Sequence, residues 1–213
     1  MIYFAMDKLL AFVAMQFCFL QLSTLEESRM YLKYVKEITN SFVNEMESEY
    51  GFHCIGGGGS MPKDVEKIQV IFITHQKSTI KDAREIEIKA ITKLLDKINA
   101  HEKIRPFLRE FPFGPSRVGV SISFQDKEDH YYLENSVAYV FLAKSKIFYC
   151  SAEKIKEMVP GGCDCSDPDN IIDFPPVEEE VEKLVDLFEE PYEEALKIIS
   201  TNELNLKSIP LNK

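Results

Sequence analysis

Positive charge is scarce in this 213-residue chain: 25 Lys and Arg stand against 35 Asp and Glu, for a formal net charge of −10. No basic stripe runs through it, which excludes nucleic acid as an expected partner, because phosphate neutralisation supplies most of that affinity. Anionic membrane surfaces are disfavoured for the same reason. Histidine is also scarce. The four present, His53, His75, His101 and His130, sit in separate segments, and no two fall at metal-ligand spacing. The Gly-x-Ser-x-Gly, His-Glu-x-x-His and P-loop patterns are absent. Asp126, Glu128 and Asp129 lack the alternating oxygen ligands and central glycine of a calcium loop. Glu178-Glu179-Glu180 and Glu189-Glu190 read as solvated helix faces, not as an acid/base pair. No catalytic, cofactor-binding or metal-ligating residue is assigned, and no cofactor is expected. A Cys–His pair that meets only in space stays open.

Long apolar runs are limited to one, Leu9 to Leu22, broken only by Gln16 and Gln21. It is short for a membrane span and suited to a signal-peptide core. Met6-Asp7-Lys8 precedes it as a start, although no clear small-x-small cleavage site follows. The expectation is a signal-like segment over 1–24 that directs export, with membrane anchoring through 9–22 as the alternative. Of five cysteines, Cys18 lies in this segment and Cys54, Cys150, Cys163 and Cys165 remain. Those four permit two disulfides in three pairings, and free thiols in a reducing compartment are the other reading. Cys163-Asp164-Cys165 is not a redox Cys-x-x-Cys. Zinc would find only His53 and Cys54 as a further pair, at a spacing that matches no zinc pattern.

What is present is organised around Thr79 to Phe124. Ile68 to Thr74 is rich in β-branched and aromatic residues and apolar on both faces, the pattern of an interior strand. Thr79 with Asp82 three residues on predicts a helix start. Ala83, Ile86, Ala90, Ile91, Leu94, Leu95 and Ile98 follow at helical spacing, and Asn99 is suited to ending the helix. A proline-punctuated clasp, Arg105-Pro106-Phe107-Leu108-Arg109-Glu110-Phe111-Pro112-Phe113, comes next. Phe111 and Phe113 are expected on one side, sealing an end of the core. Gly114-Pro115 then turns the chain into a strand, Val118 to Phe124.

Around this unit, Glu26 to Tyr50 predicts a helix with Tyr31, Val35, Ile38, Phe42 and Met46 inward. Gly56-Gly57-Gly58-Gly59-Ser60 reads as a flexible connection, and Gln125 to Ser136 as a solvated loop. Val137–Leu142 and Ile147–Cys150 predict a hairpin. Helices are expected at Ser151–Val159, at Val177–Glu189 and after Pro191, with an irregular linker at 160–176. The sum is one α+β domain over 25–200: a small, mainly antiparallel sheet of about four strands against helices, with a loose tail at 201–213.

The Arg-Pro-Phe-Leu (105–108) and Phe-Pro-Phe (111–113) run is the most specific stretch. With Ala83-Arg84-Glu85, Ile98-Asn99 and the late Tyr192-Glu193-Glu194-Ala195-Leu196, it resembles a family of small exported bacterial proteins with no assigned activity. The resemblance covers roughly Tyr50 to Ile199 and implies export, without transferring any catalytic residue.

Two function classes follow. One is a non-catalytic exported or envelope-associated domain with a binding or structural role. It would take a protein partner or a small anionic ligand, and meet a membrane only through its N-terminal segment. Arg105, Arg109 and Arg117, interleaved with Phe111 and Phe113, form its candidate surface, since arginine forks onto carboxylates and stacks on rings. The competing reading pairs Arg105 and Arg109 with Glu102, Glu110 or the acidic C-terminal helix while the aromatics fill core. The other class is a hydrolase-like enzyme whose loops 53–60 and 126–130 converge on a site.

Overall fold

The computed structural model describes residues 30–159 and 175–207, with two short strands between them, β6 (Cys163–Asp164) and β7 (Ile172–Asp173). The hydrophobic segment 9–22, Cys18, Cys165, the side chain of Cys163, most of the 160–176 linker and the end of the tail lie outside the described residues.

The expected α+β architecture is present, with a larger sheet. Six strands lie in the order β1-β2-β3-β4-β5-β8, and every neighbouring pair is antiparallel except β2 and β3. The strands are β1 (His53–Ser60), β2 (Lys67–Thr74), β3 (Val118–Phe124), β4 (Tyr139–Ala143), β5 (Lys146–Val159) and β8 (Val177–Pro191). Helix α1 (residues 30–50) precedes them, α2 (Ile80–Ala100) joins β2 to β3, and α3 (Tyr192–Lys207) follows β8.

Strand alternation explains which face carries the helices. Ile68, Val70 and Phe72 on β2 and Val118, Val120, Ile122 and Phe124 on β3 are all buried. They run in parallel register, Ile68 beside Val118 through Thr74 beside Phe124. Parallel neighbours need a crossover, which α2 supplies. Thr79 and Asp82 close the predicted capping box at its start. Its end differs from expectation by two residues: the helix runs through Ala100, and His101 caps it. Asn99 instead clasps the following loop. Its side chain accepts from the Phe113 amide at 2.7 Å and donates to the Phe113 carbonyl at 3.1 Å.

The three helices share one face of the sheet. Phe42 of α1 meets Phe72 edge-on, ring centroids 5.7 Å apart. Lys93 of α2 reaches Glu45 and Glu49 of α1 at 2.5 and 2.9 Å, and Lys97 reaches Glu45 at 2.6 Å. The two ammonium groups beside it hold the Glu45 carboxyl down at about 2. α3 is tied back by its first amide, which donates to the Ser145 carbonyl at 3.0 Å. One continuous core runs from Tyr31 to Ile199.

Three segments differ from the sequence expectation. The glycine run is strand β1, not a loose connection, and it forms one edge of the sheet. Ser151–Val159 continues β5, and Val177–Glu189 belongs to β8, where helices were expected. Their residues pair one-to-one from Ser151 with Val185 to Val159 with Val177. Lys154–Glu180 and Lys156–Glu178 ion pairs at 3.6 and 3.7 Å stitch this ribbon. Pairing across strands outweighs the helical preference of the glutamates.

Candidate functional site

The three arginines of the arginine–phenylalanine surface each contact other residues of the chain. Arg109 forks onto Asp64 at 2.8 Å and reaches Glu66 at 2.6 Å. Its guanidinium, through hydrogen bonds first, holds the Asp64 carboxyl below the usual carboxylate range. Arg117 pairs with Glu110 at 3.1 Å. Arg105 donates to the Asn99 carbonyl at 3.1 Å and covers the Phe111 ring at 4.9 Å. Phe113 is buried at 2% exposure, whereas Phe111 is 54% exposed. The shared side expected for the two rings is therefore corrected: the Asn99 clasp seats Phe113, and Phe111 stays outside under Arg105.

The cysteines are free where described. Cys54 on β1 and Cys150 on β5 are thiols. Four strand intervals separate them, roughly 19 Å at the usual spacing, against the ~7 Å limit for a disulfide. That removes the Cys54–Cys150 pairing. The Cys150 thiol is pushed up by burial and by Asp186.

The two loops of the enzyme reading do approach one another through His75. Its Nδ1 lies 2.8 Å from the Asp126 carbonyl, and its ring lies 6.0 Å from that of His53. His53 and His130 are both exposed, and neither borders the groove described next. Among the described residues, no three His, Cys, Asp or Glu are grouped to hold a metal ion. No helix among them is long and apolar enough to cross a membrane.

The groove lies between α1 and the edge strand β1, with a volume of about 540 Å³. Its origin is legible residue by residue. In register with β2, Gly57 stands opposite Val70 and Gly59 opposite Ile68, both core-facing positions. On β1 the inward places at 57 and 59 thus carry no side chain, and a trench opens under α1. Val35 and Val43 line its helix side, Val70 and Met61 its floor, and the Cys54 thiol its end. Leu32, Lys36, Thr39 and Asn40 form the rim. Thr39 is turned inward to the Val35 carbonyl at 2.9 Å. Lys36 is the single charged lining residue and makes no ion pair among the described residues.

Steric need accounts for only one of the four glycines. A Cβ at Gly59 would sit 2.0 Å from the Lys67 carbonyl oxygen. At Gly57 the nearest atom is 3.4 Å away, and at Gly56 and Gly58 nothing lies within 4 Å. None of the four has positive φ. Interior strand glycines weaken a strand and often mark a close approach by another backbone or a ligand. Among the described residues β1 is also unpaired on its outer side, so its outward amides and carbonyls border the trench.

Sequence reading missed this site because the glycines were taken for a tether. The signal was there. Leu32 and Val43 lie off the core stripe of α1, and four consecutive glycines stand between that helix and the strand at Ile68 to Thr74.

A second feature escaped notice, a buried polar knot under α2. Glu190 accepts from Arg84 and from the Tyr149 hydroxyl, each at 2.6 Å. Burial first, then the Glu190 carboxylate, pushes the Tyr149 hydroxyl up. Burial works against the Arg84 charge, but Glu190 outweighs it and holds the pKa above its usual value. One turn on, Glu87 is 0% exposed, and neither of its oxygens has a hydrogen-bond partner. Burial pushes its carboxyl well above the usual range. This knot locks α2 to the β8–α3 corner and opens onto none of the groove. Compared with family models, curated proteins and solved structures, the chain matches none.

Proposed function

We propose that this protein is a non-catalytic binding domain, exported or held at the bacterial cell envelope, that captures an extended apolar segment of another protein along β1. The observation that carries the reading is Gly57. It faces the core, its backbone does not require glycine, and its missing side chain is what keeps the trench open beside a strand edge that no described residue pairs. An extended peptide satisfies both halves of such a site. Its backbone adds to the free edge of β1, and alternate side chains drop into the trench. One buried aliphatic side chain there contributes about 1.5–3 kcal/mol. Lys36 on the rim favours an acidic residue or a terminal carboxylate next to the apolar anchor. Export rests on the leader-like segment 9–22 and on the resemblance carried by residues 105–113.

Selection of displayed random peptides on the wild-type chain, with counter-selection on Gly57→Leu, tests this. Enriched sequences should carry an apolar anchor beside an acid. They should bind Gly57→Leu at least tenfold more weakly, a loss of about 1.4 kcal/mol. N-methylation of alternate peptide amides should abolish binding. Peptides that bind both proteins equally, or small aliphatic carboxylates that bind where no peptide does, overturn the reading.

A further inference from the structure

The sheet face opposite the helices carries a second pattern, independent of the groove. One row of residues crosses all six strands in register: Gly56, Ile71, Ser121, Phe141, Phe148 and Glu189. All six belong to the face on which no helix lies among the described residues. Its relief is uneven. Phe141 and Phe148 stack with centroids 5.1 Å apart and planes 13° off parallel, which makes a ridge on β4 and β5. Gly56 on β1 is a hollow, with nothing within 4 Å of where its Cβ would stand. Ile71 is 36% exposed, and both ridge rings are half-buried. In a chain of net charge −10, the row holds one charge, Glu189, and Lys146 neutralises it at 2.7 Å.

We propose that this face is an interface between two copies of the chain, packed sheet on sheet about a two-fold axis that runs along β3. Such an axis sets Ser121 against its own copy, Phe141 against the second copy's Ile71, and Phe148 into the second copy's Gly56 hollow. Phe148 and the Gly56 hollow lie two strands either side of β3, and Phe141 and Ile71 one strand either side, so the match is self-complementary, as an isologous contact requires. Aligned sheets also pack in this way within sandwiches. Depletion of charge at the centre of the patch is the compositional mark of an interface core. Five strands at the usual spacing and about five residues each cover roughly 400 Å² per copy, half of what a standard interface buries. The dimer is therefore weak and reversible.

Sedimentation equilibrium of the full chain from about 1 to 500 µM reads this directly, since that range reaches into weak, transient association. The expected result is a monomer–dimer equilibrium that tightens with added salt, because salt screens repulsion between two acidic copies. Phe148→Glu and, separately, Gly56→Leu should each weaken it at least tenfold with unchanged circular dichroism. Gly57→Leu, which alters only the groove, should leave it unchanged. A chain that stays monomeric across the range at high salt overturns the proposal. So does a dimer that survives both Phe148→Glu and Gly56→Leu, or one that Gly57→Leu dissolves.

Discussion

Replacing Glu87 with leucine should stabilise the protein, and more so as pH rises. Glu87 is fully buried in α2, and both its oxygens lack partners. A buried polar group left unsatisfied costs about 1–3 kcal/mol, and an apolar side chain of similar volume removes that cost. At ~2–4 °C per kcal/mol for a chain of this size, the melting temperature should rise by about 2–12 °C. The titration adds a sign. Unfolded, this carboxyl titrates near 4.5, whereas burial pushes it well above that in the fold. The folded state thus retains a proton that the unfolded state releases. The contribution of Glu87 is most favourable below about 4.5 and declines as pH rises toward the folded value, by at most ~1.4 kcal/mol per pH unit. Glu87→Leu has no such slope, so its advantage over the wild type should widen between pH 5 and 7. Urea unfolding followed by circular dichroism at three or four pH values measures this. A variant less stable than wild type at pH 7, or a difference that does not change with pH, would refute the reasoning. Glu87→Gln should share the lost slope but recover less stability, because its amide is also unpartnered.

Other changes test the remaining contacts. Asn99→Ala removes both bonds that seat Phe113, and should cost about 1–3 kcal/mol in chemical unfolding with a clear fall in melting temperature. Glu45→Gln addresses acid stability: the wild-type clamp on Lys93 and Lys97 is intact above about 4.5 and is lost as pH falls toward about 2, so the variant should unfold with a flatter acid profile. Arg109→Gln should leave the fold intact with little change in melting temperature, since its pairs with Asp64 and Glu66 lie at the surface. Gly57→Leu should fold at least as stably as wild type, because a Cβ at 57 meets no atom closer than 3.4 Å and the trench gives the rest of the side chain room.

Local signals carried much of the fold. The Thr79–Asp82 box, the stripe of α2 and the alternation of β2 and β3 each specify their element within a few residues. The hairpin expected at 137–150 is there as well, its turn made by Lys144 and Ser145, both at positive φ. The misread segments depend on partners far along the chain. Val177, Val181, Leu184 and Phe188 fit a helical stripe equally well, and only pairing with β5 makes them a strand. The glycines of β1 have no side chains to alternate, so their pairing with β2 left no pattern to see. The partners of Arg109 were hidden for a related reason: Asp64 and Glu66 lie more than forty residues away in sequence. Glu87 was the readable exception. It stands four after Ala83 and three before Ala90, on the stripe those alanines mark, and a charge there signals a buried one.

The claim on which the functional account depends is that a peptide strand adds to β1 beside the trench. Amide hydrogen exchange across Cys54 to Ser60, with and without a selected peptide, tests it most directly. The account predicts that outward-pointing amides of Gly56–Gly59, exposed at the free edge, gain strong protection on binding, and that Gly57→Leu abolishes the gain. Binding that leaves those amides unprotected, while amides elsewhere slow, would contradict it.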